Sequence, residues 1–384
     1  MFNNILENSI KKAALIATRS KFIRNMIEKR QISMEFPASL FIEPTNLCNL
    51  KCSMCPQSIV GLELSPPLMG GDKGEGEMKE DYHPHPDPLP SRERGNGKRI
   101  KTEPIPKVER GFMDFDLYKS IIDESLRFGK RMTIFFHKDG EPLLHPKLPE
   151  MIEYAVSRKA AYQTHLSTNA MLLNQKIMDS LLKSGIDSII INIDAATEET
   201  YKKIKRVSGL DKVEENVKNF LETKKKLGLI KPLIRVKLIS VEENLGEIEA
   251  FKKKWDKLAD EVVISREFSW PGFMGKKDSA PGYENNGRYP CISLWLALAI
   301  NWDGTVSVCC IDFYHRGILG NLRESTINEI WKGEKLKTIR VAHLDGKFNS
   351  VSVCSDCRGL WLRDTLGRGS EKWLREKMEK AEVI

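Results

Sequence analysis

Short apolar runs, each followed by a stretch of helical period, set the limits on what this chain can fold into. The runs fall at 39–43, 131–136, 162–166, 188–193, 234–240 and 261–265. Helical patterns lie between them at 115–128, 148–158, 175–184, 198–205, 213–227 and 245–258. Strands that alternate with helices predict a parallel sheet with helices on its outside. Right-handed crossovers roll such a sheet into a barrel or part of one. In parallel barrels the reacting groups gather where strands end, so the residues after each run are the ones to inspect.

The first run leads into Asn46-Leu-Cys-Asn-Leu-Lys-Cys-Ser-Met-Cys-Pro56, which places Cys48, Cys52 and Cys55 in the spacing C-x3-C-x2-C. Iron–sulfur clusters are held by cysteine thiolates, usually four per cubane. A loop offering three leaves one iron without a protein ligand, where a small molecule can bind. The motif resembles that of the radical S-adenosylmethionine enzymes. The resemblance implies a [4Fe-4S] cluster whose open iron is chelated by the amino and carboxylate groups of S-adenosylmethionine. Reduction then splits the sulfonium and gives a 5′-deoxyadenosyl radical. It also implies an α/β fold, a partial (β/α)6 TIM-like barrel, over 39–270.

The later strand ends extend the resemblance. Phe136-His-Lys-Asp-Gly-Glu-Pro142 is similar to the family's Gly-Gly-Glu-Pro segment, with Asp139 in place of the first glycine. Gly140 allows close backbone approach and Glu141 offers an acceptor for the cofactor's ammonium. Leu166-Ser-Thr-Asn-Ala170 matches Thr-Asn-Gly and implies that Ser167 and Asn169 face the cofactor; a helix N-cap is the plainer role for Asn169. Ile191-Asn-Ile-Asp-Ala195 resembles Ser-Ile-Asp-Gly, with Asn192 at the ribose-bonding position and Asp194 pointing to the same end. Tyr201 and Arg206 resemble the family's Tyr…Arg, and Arg206 is expected at the cofactor carboxylate unless it serves a surface salt bridge. Ser240 and Asn244 are a weaker match after the fifth run.

The remaining cysteines are Cys291, Cys309, Cys310, Cys354 and Cys357. A hairpin turning at Asp303-Gly304 precedes Cys309, and a helix is expected near Ile330-Trp331. The pattern resembles the C-terminal SPASM/twitch module, here a small α+β iron–sulfur module at 287–365. The likeness implies one auxiliary [4Fe-4S] cluster on Cys291, Cys309, Cys354 and Cys357, with Cys310 spare. Four thiolates in two pairs also suit tetrahedral zinc.

Composition narrows the class further. Lys+Arg minus Asp+Glu is 61 − 53 = +8, spread without a basic tract, so nucleic acid is not an expected partner. Clustered thiols read as metal ligation rather than as a secreted disulfide scaffold. No apolar run is long enough for a membrane span, and Lys11, Lys12, Arg19 and Lys21 break up any signal-peptide core, so a cytoplasmic protein is expected. Residues 1–38 read as a basic amphipathic helix and 366–384 as a charged helix. Residues 65–107, with His83 and His85 in a Pro-rich stretch, read as a disordered insertion without a catalytic role.

The expected activity is hydrogen abstraction from a small molecule of sugar or cyclitol type, giving dehydrogenation with the auxiliary cluster as electron relay. A flavodoxin or ferredoxin is the expected electron donor. Peptide modification is the alternative, disfavoured because about 38 residues before the first strand are too few for a peptide-binding module. A non-catalytic iron–sulfur electron carrier is the third reading, but it has no use for Glu141, Asn169 and Asp194.

Overall fold

A computed structural model of the chain describes residues 35–58, 108–128, 132–267, 270, 290–291, 293–355 and 357. The expected insertion at 65–107 and the helix at 366–384 lie outside the described residues, as does all of the expected N-terminal helix before residue 35.

The strands of the barrel half are β1 (Ser39–Ile42), β2 (Met132–Phe135), β3 (Ala161–Thr168), β4 (Ser188–Asn192), β5 (Leu233–Ser240) and β6 (Glu261–Arg266). They alternate with helices α1 (Phe115–Arg127), α2 (Leu148–Ser157), α3 (Gln175–Lys183), α4 (Glu198–Lys205), α5 (Leu210–Lys226) and α6 (Ile248–Trp255). All neighbouring pairs from β1 to β6 are parallel, in sequential order. The sheet is not closed, so the expected partial barrel is what forms.

The C-terminal part adds β7 (Ala297–Ile300), β8 (Thr305–Ser307), β9 (Ile318–Asn321), α7 (Ile327–Lys332) and α8 (Glu334–Leu344). β7 runs parallel to β1, pairing Phe41 with Ala299, and β8 and β9 follow antiparallel. One continuous sheet therefore carries both halves, in the order β6-β5-β4-β3-β2-β1-β7-β8-β9. This covers the free edge of β1, which would otherwise present unpaired backbone groups. The expected turn is present, with Gly304 at φ +93°, a conformation side chains rarely adopt.

Strand alternation divides the sheet into two faces. Leu40, Ile134, Leu166, Ile191, Val236 and Leu238 are buried with α-helical residues such as Ile121, Met151, Leu181 and Phe220 in one core. The intervening Phe41, Phe135, His165, Ser167, Asn192 and Lys237 are half-buried on the opposite, concave face. That face is where a substrate has room.

Helix starts follow local chemistry. The Asp114 carboxylate accepts from the backbone N–H groups of Asp116 and Leu117 and so caps α1. α5 begins at Leu210, three residues earlier than its apolar period suggests, because the Glu198 carboxylate accepts from Gly209 N at 2.9 Å and Leu210 N at 2.8 Å. α6 begins later than expected, after a 3-10 turn at Glu242–Glu247. There Asn244 is buried and donates to Asp194 O at 2.8 Å and Ile239 O at 2.9 Å.

Candidate active site

The cysteine loop leaves β1 and is held from three sides. Thr45 Oγ1 donates to Gly111 O at 2.6 Å, and Asn46 Nδ2 donates to Glu109 O at 2.7 Å. Ser53 N donates to Ile204 O at 2.7 Å, and Met54 packs with Ile204 and Val241. Glu141 N donates to Leu47 O at 2.8 Å, while Gln57 Nε2 reaches Asp139 O at 2.5 Å. A Cβ on Gly140 would fall 2.3 Å from Thr45 O and 2.5 Å from Leu47 O, so the loop closes only over a glycine.

The loop brings Cys48, Cys52 and Cys55 together. Burial pushes all three thiols up, and each of Cys48 and Cys55 is raised further by the charge of Cys52, Cys55 to about 12. Lys205 and Arg206 work the other way on Cys52. Three sulfurs that resist ionising alone call for a cationic centre that binds them as thiolates. A trio of donors suits three irons of a cubane, so the residues fit such a cluster.

The expected cofactor contacts divide into two groups. Ser167 and Asn192 meet on the concave face, where Asn192 Nδ2 donates to Ser167 Oγ at 2.7 Å. Asn169 joins the top of β3 to the cysteine loop, its Nδ2 donating to Asn49 Oδ1 at 2.9 Å. It is not a helix cap; Asn174 caps α3. Glu141 is buried and accepts from Thr168 Oγ1 at 2.7 Å, Asn169 N at 2.8 Å and Leu143 N at 3.1 Å. Its visible work is to fix the tops of β2 and β3 against one another.

Asp194 turns inward, whereas Arg206 stays at the surface within electrostatic reach of Cys52. Asp194 has φ +66°, which breaks the strand alternation and turns its side chain into the protein, where it is fully buried. It accepts from Lys205 Nζ at 2.5 Å and from Ile239 N at 2.7 Å. Arg206, at φ +63°, is the exposed left-handed cap of α4. Lys205 is the buried cation beside Cys52, and it also donates to Asn192 O at 3.0 Å. A signal existed in the sequence: Lys205 lies four residues after Tyr201, on the same inward helix face. Sequence reading passed over Lys205 in favour of its neighbour.

In the second group, Cys309 is raised by burial and then by the charges of Cys310, Asp312, Cys354 and Cys291, which places those thiols near it. Cys357 follows Cys354 with its N–H on Cys354 O at 3.1 Å, and Cys291 N donates to His343 Nδ1 at 3.2 Å. Cys310 stays close to both Cys309 and Cys291, and also faces the Lys138–Asp139 pair. Burial raises it to about 12, Lys138 opposes that, and Asp139 and Cys291 add to it.

Lys138 and Asp139 form a buried ion pair at the top of β2 that sequence reading did not single out. Glu43 accepts from Asp139 N at 3.2 Å and from Trp302 N at 3.2 Å, tying β1, β2 and the hairpin together. Glu43, Asp139 and His315 have a spacing that could hold a metal ion, but the Lys138 ammonium already supplies the positive charge there.

Several histidines resist protonation. His137 is held down to about 3 and His315 to about 4, in each case chiefly by burial and then by a nearby lysine. The unfolded chain protonates them near ~6.5. Folded-state pKa values below the unfolded value mean that stability is intact above that pH and falls as acid is added. The melting temperature is expected to drop between about pH 7 and 5, with a shallower drop in His137→Gln. Calorimetry across that range checks it, and an equal slope in the variant would refute the assignment to His137.

A parallel partial barrel with three thiols above its strands, and a second thiol group in an appended hairpin module, defines an iron–sulfur enzyme of the radical type. The chain belongs to the radical SAM superfamily: residues 42–231 match that family, and residues 291–358 match SPASM, an iron–sulfur cluster-binding domain. It is 24% identical over 290 residues to the tungsten-containing aldehyde ferredoxin oxidoreductase cofactor-modifying protein of Pyrococcus furiosus, covering 64% of this chain and 80% of the relative. It is 21% identical to the S-adenosyl-L-methionine-dependent 2-deoxy-scyllo-inosamine dehydrogenase of Niallia circulans, covering 66% of this chain and 84% of that protein. Among solved structures, BtrN in complex with AdoMet and 2-DOIA superposes with TM-score 0.50 at 17% identity, over 84% of this chain and 93% of that one. Streptococcus suis SuiB bound to precursor peptide SuiA gives TM-score 0.53 at 14% identity, over 82% and 69%. These two likenesses show the fold. Among the described residues no helix is long and apolar enough to cross a membrane.

Proposed function

We propose that this radical SAM enzyme dehydrogenates a hydroxylated small molecule of sugar or cyclitol type, with an auxiliary cluster taking up the second electron. One observation carries the reading: the Lys138–Asp139 pair lies within electrostatic reach of both cysteine groups, since Asp139 raises Cys55 on one side and Cys310 on the other. Two iron centres set about a single buried ion pair suit electron transfer between them. The dehydrogenase relative supports the reaction class.

When bound, S-adenosylmethionine at the reduced cluster supplies a carbon radical that abstracts hydrogen from an unactivated C–H bond. The chain's part is to hold and orient. Cys48, Cys52 and Cys55 would ligate the cluster, with Lys205 offsetting thiolate charge at Cys52. Ser167 and Asn192 would bond the nucleoside from the concave face. Gly140 leaves the backbone open to close approach, and Glu141 and Asn169 keep the strand tops and loop in register. Cys291, Cys309, Cys354 and Cys357 would hold the auxiliary [4Fe-4S] cluster, and an external flavodoxin- or ferredoxin-type protein would deliver the first electron. In balance, the substrate's CH–OH yields one hydrogen atom to the nucleoside, one proton to solvent or a base, and one electron to the auxiliary centre.

The test is anaerobic reconstitution with iron and sulfide, then dithionite and S-adenosylmethionine. 5′-Deoxyadenosine is the expected product, with deuterium in it when the substrate's carbinol carbon is deuterated. A protein with full iron content and no nucleoside product would return it to the class of electron carriers.

A further inference from the structure

We propose that Lys138 sets the reduction potential of the auxiliary centre: its buried ammonium, held by Asp139 against the turn that carries Cys309 and Cys310, raises that potential and so draws the substrate's second electron. The inference rests on the auxiliary cluster of the reading above and names the residue that directs its electron.

Hydrogen bonds place the ammonium. Lys138 Nζ donates to Asp312 O at 3.3 Å, and Asp312 N donates to Cys309 O at 3.2 Å, so the ammonium sits on the closed turn 309–312. The Asp312 carboxylate accepts from Arg316 N at 3.0 Å and Gly317 N at 2.8 Å, which fixes the far side of that turn. Asp139 is anchored through its backbone: its N–H reaches Glu43 Oε1 at 3.2 Å, and its carbonyl accepts from Gln57 Nε2 at 2.5 Å. Its carboxylate binds Lys138 Nζ, with His315 Nε2 4.0 Å away. A short bonded path thus runs from Gln57, just after Cys55, to Asp312, just after Cys310.

Neither substrate binding nor stability explains the pair. Both side chains are almost wholly enclosed, which closes them to direct contact with a substrate. Among the described residues Asp139 Oδ1 has no hydrogen-bond partner, and a buried ion pair left incompletely bonded is a poor source of stability. A fixed charge beside an iron–sulfur cluster does have a use, because net charge and hydrogen bonding around the cluster set its potential. A cation favours the reduced, more negative state. The pair is also oriented: at Cys310 the lysine's charge outweighs that of Asp139, while Asp139 acts on Cys55. One electron leaves the deprotonated substrate radical and adds one negative charge to the auxiliary cluster, which the ammonium beside it offsets.

The experiment is an anaerobic redox titration of the reconstituted full chain, followed by electron paramagnetic resonance. The first cluster's signal is told apart by its change on adding S-adenosylmethionine. Lys138→Met is expected to lower the auxiliary potential, so that the reduced-to-oxidised ratio at a given applied potential falls about tenfold, ~59 mV for one electron. Asp139→Asn leaves the ammonium unopposed and is expected to raise it, while Lys138→Arg keeps that ratio within about twofold. Shifts of opposite sign are what a charge produces. A merely structural pair would move both variants the same way or neither, and either result overturns the proposal. So does a shift confined to the first cluster, or a C-terminal site filled with zinc. Where a stranded charge costs a single variant its iron, Lys138→Met/Asp139→Asn strands none and is expected to lower the potential, because the ammonium is the nearer charge. An unchanged potential in that double variant overturns the assignment. 5′-Deoxyadenosine is measured on the same samples: charge-dependent potentials without nucleoside would refute the radical reading and leave the role of Lys138 standing.

Discussion

Replacing Cys48, Cys52 and Cys55 together by alanine is expected to abolish 5′-deoxyadenosine formation and to remove about half of the bound iron, the share of one cubane in two. The other half should stay with the C-terminal cysteines, because Cys309 has Cys310, Cys354 and Cys291 as its thiol neighbours and not the barrel loop. The far-ultraviolet spectrum should be unchanged, since the loop's fastenings are made by Thr45, Asn46, Ser53 and Gln57 rather than by the thiols. Iron and sulfide assays with Mössbauer spectroscopy decide it. Total loss of iron would show that the two sites do not fill independently. Zinc in the remaining site would replace the electron relay with a structural role.

Asp194→Ala is expected to destabilise the fold by ~3–5 kcal/mol, the usual cost of leaving one member of a buried ion pair unpaired. The Lys205 ammonium is fully enclosed at 2.5 Å from that carboxylate and would keep only Asn192 O as an acceptor. The Ile239 N–H would also lose its acceptor, which loosens β5 against β4. Denaturant unfolding measures the first effect. The double variant with Lys205→Met should recover much of the stability, because no stranded charge remains, yet it should not recover nucleoside formation if Lys205 steadies the charge at Cys52. Full activity in a stable double variant would remove Lys205 from the site.

Much of the architecture was legible in the chain. Each apolar run became a strand within one or two residues because alternation and helical period report burial directly. The cysteine loop was legible for another reason: thiols at fixed short spacing have few uses other than metal. Side-chain direction at the strand ends was not. Asp194 was expected at the mouth by counting two residues from Asn192, but its left-handed backbone rotates it inward, where Lys205 rather than a surface group meets it. That inward position is held by Ile239 and Asn244, which lie 45 and 50 residues further along the chain.

The sequence by itself determined the alternation of strand and helix, the two cysteine groups and the family they belong to, because local period and spacing carry that information. Only the tertiary structure decided that β7 joins β1 in one sheet, and that the Lys138–Asp139 pair meets Gln57 after the first cysteine group and Asp312 after Cys310. Such juxtapositions arise from register and twist between distant segments, where no local pattern is required to leave a trace.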